Sequence, residues 1–307
     1  MLSIPDNFVR CMVELYDAEG VAWLERLPAL IAACERRWSL VTGPPFPLSY
    51  NYVAPAVQAD GTNVVLKVGF PGRELMTEIE ALRLYDGHGI VRLLDVDREQ
   101  GSLLLERLMP GTPLAEVADD VEATSIAAGV MRKLWQGPGG TPPARHDFPS
   151  VADWAAGLGR LRDEFGGGTG PFPVALVEEA ETLFAELIGS MGAPVLLHGD
   201  LHHENILAAE REPWLALDPK GVVGEAEYEV GALLRNRQPE QLAAPETGRI
   251  LARRVAQLAE ELGFDRTRLH GWGLAQAVLS AWWSYEDHGH GWEGAMVVAE
   301  HLSALKL

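Results

Sequence analysis

Apolar residues recur with the spacing of helices and of strands in the first third of the chain, and mainly with that of helices in the rest. Near the N-terminus, apolar residues recur at helical spacing in two segments, 8–16 and 21–38, before Pro44-Pro45 ends that pattern. A further helical segment, at 74–85, lies among segments with strand-like patterning. The four predicted strands are 48–58, 63–68, 91–96 and 102–107. We therefore predict a small antiparallel sheet with one helix between two of its strands and with helices before it in the chain.

Beyond residue 110 the apolar residues recur with the period of helices. The predicted helices are 121–136, 151–164, 174–191, 248–263, 267–285 and 291–305. Two short apolar strands, at 195–197 and 214–217, lie between the helical blocks. We predict an α+β fold with two lobes: a sheet lobe with leading helices at 1–105, a hinge at 106–111 and a mainly helical lobe at 112–307.

The composition is that of a globular protein with a strong acidic excess. Of the 307 residues, 47% are hydrophobic and nine are Trp, which is enough for a sizeable core. Lys and Arg number 25 against 44 Asp and Glu, so the formal net charge is −19. Because binding to nucleic-acid backbones relies on clustered Lys and Arg, we expect no nucleic-acid partner. The acidity favours either plain solubility or a cationic small-molecule partner.

Cysteine content and hydropathy narrow the cellular context. Cys11 and Cys34 are the only cysteines, too few for a disulfide scaffold or a thiolate zinc site. No run reaches the roughly 18 apolar residues that a membrane span needs. Residues 1–6 lack the charged and apolar regions of a secretory leader. We therefore expect a cytoplasmic protein without a membrane partner, present as a monomer or a weak dimer.

Candidate catalytic residues follow the two short strands of the C-terminal part. The first strand leads into His198-Gly199-Asp200, with Asn205 shortly after, and the second strand ends in Asp218. This order brings two carboxylates and an amide from strand ends to one place. Phosphoryl transfer needs such a set, since one Asp accepts the hydroxyl proton while a second Asp and an Asn hold magnesium against the phosphates. We expect His198 to hold the loop through hydrogen bonds rather than to act as a base.

A lysine stands inside the second predicted strand of the sheet. Lys67 lies among apolar residues in 64–68, where an unpaired ammonium would be costly. Glu78, on the following predicted helix, is a candidate partner, and Glu80 on the same helix is a rival. An ion pair of this kind would aim the ammonium at the α- and β-phosphates of a nucleotide.

Together these motifs resemble the aminoglycoside phosphotransferase family, whose members have a protein-kinase-like fold. The match runs from Lys67 to the helices after Asp218. Three segments look like the branch of streptomycin 6-phosphotransferases and hydroxyurea phosphotransferases; they are 66–71, 83–87 and Asp218-Pro219-Lys220-Gly221. The resemblance implies a protein-kinase-like two-lobe fold, ATP and Mg²⁺ as cofactors, and phosphotransferase activity on an alcohol group.

The resemblance also implies roles for individual residues. Asp200 corresponds to the catalytic base of the family. Asn205 and Asp218 correspond to the magnesium ligands. Lys67 and Glu78 correspond to the ion pair on the phosphate side.

The nucleotide site implied by the resemblance lacks one usual part. Adenine is implied to bind backbone groups of the hinge, near Glu106 and Leu108. A glycine-rich phosphate loop is missing from the sequence, and the corresponding segment is 47–52. That leaves the covering of the phosphates to backbone groups and to Ser49 or Asn51.

Candidate residues for contact with a cationic acceptor are acidic or aromatic. They are Glu225 and Glu227 after the second strand, and Trp282, Glu286 and Asp287 on a late predicted helix. Carboxylates would pair with the cation, and a Trp ring would contact it through a cation–π interaction. The alternative is that the aromatic residue packs in the core and the acidic ones face water. The segment 176–230 contains 12 acidic and two basic residues, so about half of the net charge surrounds the predicted catalytic loop.

We therefore predict an ATP- and Mg²⁺-dependent kinase that phosphorylates a hydroxyl of an aminoglycoside or aminocyclitol antibiotic such as streptomycin, and so confers resistance. A kinase of hydroxyurea, or of a metabolic sugar or amino alcohol, is the alternative with the same chemistry. A catalytically inactive nucleotide-binding module is the alternative from a different class. One motif departs from the family pattern: many relatives carry Asp in a Tyr-Asp-Leu-like motif, and this chain has Tyr228-Glu229-Val230 there.

Overall fold

The computed structural model describes residues 4–236 and 246–306, and the N-terminal part of the protein is built on a five-stranded antiparallel sheet. The strands are β1 (Leu40–Thr42), β2 (Tyr52–Gln58), β3 (Asn63–Val68), β4 (Leu93–Asp97) and β5 (Ser102–Glu106). Their order across the sheet is β1-β2-β3-β5-β4. The predicted strands at 63–68 and 102–107 match β3 and β5 closely, whereas the short edge strand β1 was not predicted.

One face of the sheet packs against the long N-terminal helix α1 (Asp6–Trp38). Apolar residues of α1, including Trp23 and Leu27, are buried together with alternate residues of β2 and β3. Alternation places these strand residues on one face, because successive side chains of a strand point to opposite sides. The two helical segments predicted at the N-terminus form this single element, which bends at Asp17, where φ is 46° and ψ is −128°.

The opposite face of the sheet supports the helix α2 (Arg73–Tyr85). Leu75, Ile79 and Leu82, spaced about one turn apart, are buried in the main core of the protein. The helix ends at Asp86, which is in the left-handed conformation with φ at 45°. Packing of α2 against the sheet holds its first two turns close to β3.

The C-terminal part is mainly helical. Its helices are α3 (Asp120–Gln136), α4 (Val151–Ala155), α5 (Gly157–Glu164), α6 (Val174–Gly189), α7 (Val230–Arg235), α8 (Thr247–Leu262), α9 (Arg266–His288) and α10 (Glu293–Ser303). Helix α9 lies at the centre, where it contacts α6, α7 and α10 and has residues 271–282 buried. The helix predicted at 151–164 is two helices that meet at Ala156, and the short α7 was not predicted.

Two small sheets hold the loops between the helical blocks. Their strands are β6 (Pro110–Pro113), β7 (Val195–Leu197), β8 (Ile206–Ala209), β9 (Trp214–Ala216) and β10 (Val222–Gly224). One sheet has the order β6-β8-β9, and β7 pairs with β10 in the other, with every pair antiparallel. Strands β6, β8 and β10 were not predicted; β6 and β10 pair with strands that are distant in the chain.

The N-terminal and C-terminal parts also meet at the end of α9. Nδ1 of His288, in the last turn of α9, lies 3.1 Å from Oε2 of Glu14 in the first half of α1. The ring of Tyr50, between β1 and β2, lies with its centroid 6.2 Å from that of His288. The two parts are therefore joined at this end of α9 as well as through the chain between β5 and β6.

The predicted fold class is confirmed: a small antiparallel sheet is followed by a mostly helical remainder. Among the helices of residues 4–236 and 246–306, none combines the length and the hydropathy that crossing a lipid bilayer requires. The loops that follow β7 and β9 lie between the two parts, and they carry the candidate catalytic residues.

Candidate active site

The loop after β7 is held in a tight conformation at Gly199. Its φ is +85°, a conformation that favours glycine, and a β-carbon at this residue would lie 2.7 Å from Cη2 of Trp154. The chain then passes Asp200 and makes a short 3₁₀ turn at His203–Asn205 before β8 begins. Glycine at this point allows the loop to turn back towards the end of β9.

His198 ties this loop to the end of β9. Its Nδ1 accepts a hydrogen bond from the Asp200 amide at 3.2 Å, and its Nε2 donates to the Leu217 carbonyl at 2.8 Å. The ring is fully buried, and burial lowers the pKa of His198 to about 4, so the imidazole is neutral near neutral pH. These contacts hold the loop in place, which is the role expected for this residue.

Glu229 holds the same loop from the other side. Its two carboxylate oxygens accept hydrogen bonds from the amides of His198 and Gly199, at 2.7 and 2.8 Å. The side chain is completely buried, and this burial raises the pKa of Glu229 to about 7 although both hydrogen bonds favour the charged form. Glu229 therefore anchors the loop, a role against which the departure from the Tyr-Asp-Leu-like motif had argued in the sequence.

Asp200 lies between the side chains of Arg235 and His202. Nη2 of Arg235 donates to its Oδ1 at 2.8 Å, and Nε2 of His202 lies 3.6 Å from its Oδ2. Burial opposes ionisation, but the interactions with His202, Arg235 and Lys220 outweigh it and hold the pKa of Asp200 far below its ordinary value. Asp200 is therefore a carboxylate throughout the physiological pH range. Arg235 was not identified from the sequence.

Asn205 and Asp218 lie beside each other at the ends of neighbouring segments. The carbonyl of Asn205 accepts a hydrogen bond from the Leu217 amide at 3.0 Å, which places it next to the residue before Asp218. Its Nδ2 donates to the Asp200 carbonyl at 2.9 Å, so the Oδ1 atom remains for another ligand. Asp218 is in the left-handed conformation, with φ at 64°.

These two residues suit a magnesium ion that is bound together with phosphates. In the part of the chain that the structure describes, no group of three or more His, Cys, Asp or Glu is gathered as a metal site. Magnesium needs only one or two protein carboxylates, because waters and phosphate oxygens complete its coordination. The carboxylate of Asp218 and Oδ1 of Asn205 are oxygen donors of this kind, so the residues fit the ion.

Lys67 reaches across from the sheet to Asp218. Its Nζ lies 2.7 Å from Oε1 of Glu78 and also binds Oδ1 of Asp218. Burial raises the pKa of Glu78 to about 7 against the effect of Lys67, while the two carboxylates outweigh burial and raise the pKa of Lys67. Glu80, the rival partner, is partly buried and pairs with Arg83 and Arg98, so Glu78 is the partner of the lysine.

The residues expected near the nucleotide base and its phosphates are dispersed along the sheet. Both carboxylate oxygens of Glu106 are bound by Arg211, at 2.9 and 3.0 Å, and the side chain of Leu108 is buried in the main core. Ser49 is exposed in the loop between β1 and β2. Asn51 packs against Gly69, where a β-carbon would lie 2.7 Å from Oδ1 of Asn51.

Glu225 is not available to a substrate, and its assignment to the acceptor site is wrong. Its buried carboxylate is bound by Arg268 at 2.6 and 2.8 Å, by the indole of Trp272 and by the amide of Gly192. A carboxylate with this number of donors serves the packing of α9. Glu227 is only partly buried, and burial raises the pKa of its carboxyl group.

The candidates on α9 have different surroundings. Trp282 is 3% exposed and packs among Phe165, Phe172 and Tyr285, as the core-packing alternative expected. It nevertheless lines a cleft of about 530 Å³ between α5 and α9; the other residues of this cleft are Arg160, Asp163, Glu164, Tyr285 and Glu286. Glu286 is bound by Arg160 through two hydrogen bonds of 2.6 and 2.7 Å. The neighbouring Asp287 is exposed.

The sequence profile of the aminoglycoside/hydroxyurea antibiotic resistance kinase family matches residues 37–288. The chain belongs to this family. The family predicted from the motifs is thereby confirmed. The matched range contains Lys67, Asp200, Asn205 and Asp218, and it ends at His288, the last residue of α9.

Relatives of this kinase are similar over nearly their whole length. The streptomycin 6-kinase of Streptomyces griseus is 36% identical over 287 residues, which cover 93% of this chain and 92% of that protein. The streptomycin 6-kinase of Streptomyces glaucescens is 35% identical over 289 residues, which cover 94% of this chain and 92% of that protein. The hydroxyurea phosphotransferase of Kitasatospora aureofaciens is 35% identical over 298 residues, covering 94% and 82%.

Solved structures of low sequence identity share the fold of this kinase. Choline kinase LicA from Streptococcus pneumoniae has a TM-score of 0.63 at 13% identity, covering 90% of this chain and all of that one. Aminoglycoside phosphotransferase APH(4)-Ia, in a ternary complex with ADP and hygromycin B, has a TM-score of 0.61 at 13% identity, covering 90% and 99%. The protein-kinase-like fold predicted from the sequence is confirmed.

Proposed function

We propose that this kinase transfers the γ-phosphate of ATP to a hydroxyl of a streptomycin-like aminocyclitol antibiotic, in a reaction that requires Mg²⁺, and so confers resistance. The observation that carries the proposal is the meeting of Lys67, Asp200, Asn205 and Asp218 in one cleft between the sheet and the helical part. The identity of 35–36% to two streptomycin 6-kinases over more than nine-tenths of the chain supports the choice of acceptor.

The nucleotide lies on the sheet side of the cleft in this proposal. Lys67, held by Glu78, binds the α- and β-phosphates as a buried cation whose direction is set by its ion pair. Backbone groups near Glu106 and Leu108 bind the adenine. Ser49 and Asn51, in the loop between β1 and β2, lie over the phosphates.

Asp218 and Oδ1 of Asn205 are the residues that would hold Mg²⁺ against the phosphates. When bound, the ion neutralises charge on the β- and γ-phosphates. The hydrogen bond from Nδ2 of Asn205 to the Asp200 carbonyl fixes the direction of its amide oxygen.

Asp200 orients the acceptor hydroxyl and accepts its proton. The acceptor oxygen forms a bond to the γ-phosphorus, the bond from that phosphorus to the bridging oxygen breaks, and ADP leaves. A carboxylate with a low pKa suits this reaction, because the transition state is loose and the hydroxyl gives up its proton late. Arg235 keeps Asp200 charged and in position by its hydrogen bond to Oδ1.

The acceptor is a cationic alcohol, and the acidic surroundings of the cleft favour its approach. The protein carries a net charge of −19, which raises the local concentration of a polycation. Glu227, Glu286 and Asp287 are the remaining acidic candidates for contact with it, with Trp282 as the aromatic one. We further propose that the enzyme works in the cytoplasm as a monomer or weak dimer.

Hydroxyurea is the second candidate acceptor, since a hydroxyurea phosphotransferase is 35% identical to this chain. A coupled assay of ADP release with streptomycin, hydroxyurea, choline and a neutral sugar separates the candidates, and mass spectrometry of the product confirms transfer of a phosphoryl group. We expect turnover with streptomycin. Turnover with hydroxyurea alone would show that hydroxyurea, and not streptomycin, is the acceptor. No ADP release with any acceptor would indicate a nucleotide-binding module.

A further inference from the structure

The segment Asp218-Pro219-Lys220-Gly221 places a second lysine beside the catalytic loop. Asp218 and Gly221 both have positive φ, 64° and 69°, so the chain turns sharply between them. The amides of Lys220 and Gly221 donate to the carbonyl of His198, at 2.7 and 3.2 Å. The backbone of Lys220 is therefore fastened to the loop that carries Asp200.

The two oxygens of Asp218 face two different lysines. Oδ1 is bound by Lys67, and Oδ2 lies 3.9 Å from Nζ of Lys220. The ammonium of Lys220 therefore lies beside the carboxylate of Asp218, while its backbone is bound to the loop that carries Asp200.

The two lysines differ in how firmly they are held. The side chain of Lys67 is 4% exposed and that of its partner Glu78 is 8% exposed, so this pair is locked in the interior. The side chain of Lys220 is 24% exposed, and its other partner, Glu74, is 67% exposed. Because an exposed carboxylate competes weakly for a cation, Lys220 is free to exchange Glu74 for a phosphate.

The residue type supports a role in chemistry rather than in packing. Of the 25 basic residues of the chain only four are lysines: Lys67, Lys133, Lys220 and Lys306. Two of these four lysines lie beside Asp218, in a chain whose other basic residues are nearly all Arg. A lysine ammonium is a compact charge on a flexible stem, which suits a group that follows a moving phosphate.

We propose that Lys220 is a catalytic residue that binds the γ-phosphate during its transfer and takes over the task of the missing glycine-rich loop. The loop segment 47–52 contains no glycine, so few backbone amides are free to approach the phosphate closely. As the bond to the acceptor oxygen forms and the bond to the bridging oxygen breaks, charge spreads over the equatorial oxygens of the phosphoryl group. Lys220 neutralises that charge and keeps its proton, while Asp200 takes the proton of the acceptor.

This inference rests on the proposed phosphoryl transfer, and the variant Lys220→Met tests it. We expect kcat with streptomycin to fall about 100-fold or more, the size of effect seen when a transition-state donor is removed. The KM for ATP stays within a factor of about three, because Lys67 remains. Lys220→Arg, which keeps the charge, is expected to recover at least a tenth of the lost activity. Lys133→Met, which removes a surface lysine paired with Glu212, is the matched control.

A binding measurement separates the role of Lys220 from the identity of the acceptor. We expect the wild type to bind Mg²⁺, ADP and aluminium fluoride, a mimic of the planar phosphoryl group, at least tenfold more tightly than Mg²⁺ and ADP. Lys220→Met is expected to lose that gain while it keeps its affinity for ADP and its melting temperature. A variant that retains the gain, or that loses affinity for ADP equally, would overturn the proposal. If the wild type binds the mimic tightly yet phosphorylates no streptomycin, the acceptor is wrong and the role of Lys220 stands.

Discussion

The guanidinium of Arg235 donates a 2.8 Å hydrogen bond to the carboxylate of Asp200. The same guanidinium lies 3.1 Å from Oγ of Ser280 on α9, and the side chain of Arg235 is 12% exposed. The proposed base is therefore tied to the central helix through one arginine. This contact joins α7, the catalytic loop and α9 at one point.

Replacement of Arg235 by Leu is expected to lower kcat about 100-fold, because Asp200 loses the partner that sets its direction. The KM for ATP is expected to remain the same, since Arg235 contacts Asp200 and not the pair of Lys67 and Glu78 that is proposed to bind ATP. Arg235→Lys is expected to recover part of the activity, because an ammonium supplies charge but not the forked contact to Ser280. Steady-state kinetics of both variants, with Arg162→Leu as a control that breaks an ion pair to Glu181, checks the prediction. An unchanged kcat in Arg235→Leu would contradict it.

Asp200→Asn is expected to abolish transfer while ADP still binds with wild-type affinity. The amide cannot accept the proton of the hydroxyl, and loss of a general base costs at least about 100-fold in rate. Asp218→Ala is expected to raise the Mg²⁺ concentration that gives half-maximal activity, because it removes the carboxylate ligand. Titration of activity against Mg²⁺ for both variants distinguishes the two roles. Full activity in Asp200→Asn, or an unaltered Mg²⁺ requirement in Asp218→Ala, would refute the corresponding role.

Glu78→Gln is expected to raise the KM for ATP by about tenfold, since Lys67 loses a charge-assisted hydrogen bond that directs it. The turnover number at saturating ATP is expected to change less than the KM. Glu80→Gln, two residues away on the same helix, removes a carboxylate that pairs with Arg83 and is the matched control. Equal effects of the two substitutions on the KM would show that the buried pair has no special role.

Glu229 is expected to make stability depend on pH. Burial raises its pKa from 4.5 in the unfolded chain to about 7, so the folded protein binds more protons in that range and loses stability as the pH rises through it. Glu229→Gln lacks this titration, so its stability relative to the wild type is expected to improve by about 3 kcal/mol between pH 4 and pH 8. Urea unfolding of both proteins across this range measures the difference. A difference that stays constant with pH would show that Glu229 keeps an ordinary pKa.

Substitution of one acidic residue, Glu225, is expected to lower stability, whereas substitution of another, Asp287, is expected to weaken acceptor binding. Glu225→Gln breaks a buried ion pair with Arg268 and is expected to cost about 3 kcal/mol in the free energy of unfolding. Asp287→Asn removes an exposed charge and is expected to leave the melting temperature unchanged while it raises the KM for streptomycin. Thermal unfolding and kinetics of both variants provide the comparison. The assignment of Asp287 fails if its KM for streptomycin equals that of the wild type.

The sequence allowed the residues that stand directly beside strand ends to be predicted. Asp200, Asn205 and Asp218 follow β7 and β9 in an order that requires them to meet, and Lys67 stood out as a charge among apolar residues. Arg235 left no such signal, because it stands 35 residues after Asp200 and folding alone brings the two side chains together. Its helix has only six residues, too short for a periodic pattern.

Contacts between segments that are distant in sequence also explain errors in the predicted strands and site residues. Strand β10 has three residues and pairs with β7, which lies before the catalytic loop, and β8 pairs with the distant β6 as well as with the neighbouring β9. Glu225 was misassigned because an acidic residue near a metal-ligand motif looks the same in sequence whether or not an arginine from another helix covers it. Glu229 could have been identified by its place in the Tyr-Asp-Leu-like motif alone.

The bend of α1 at Asp17 has a consequence for how substrates enter and leave. Two lobes joined by a single connection can rotate about it and so open the cleft between them. Here the half of α1 before the bend contacts α9 through Glu14 and His288, which adds a link outside the cleft to the ion pairs of Lys67 with Asp218 and of Lys220 with Glu74 inside it. Widening the cleft therefore requires the rupture of the ion pairs inside it and, at α1, either the loss of the Glu14 contact or a change of angle at Asp17, so the N-terminal helix takes part in the release of product.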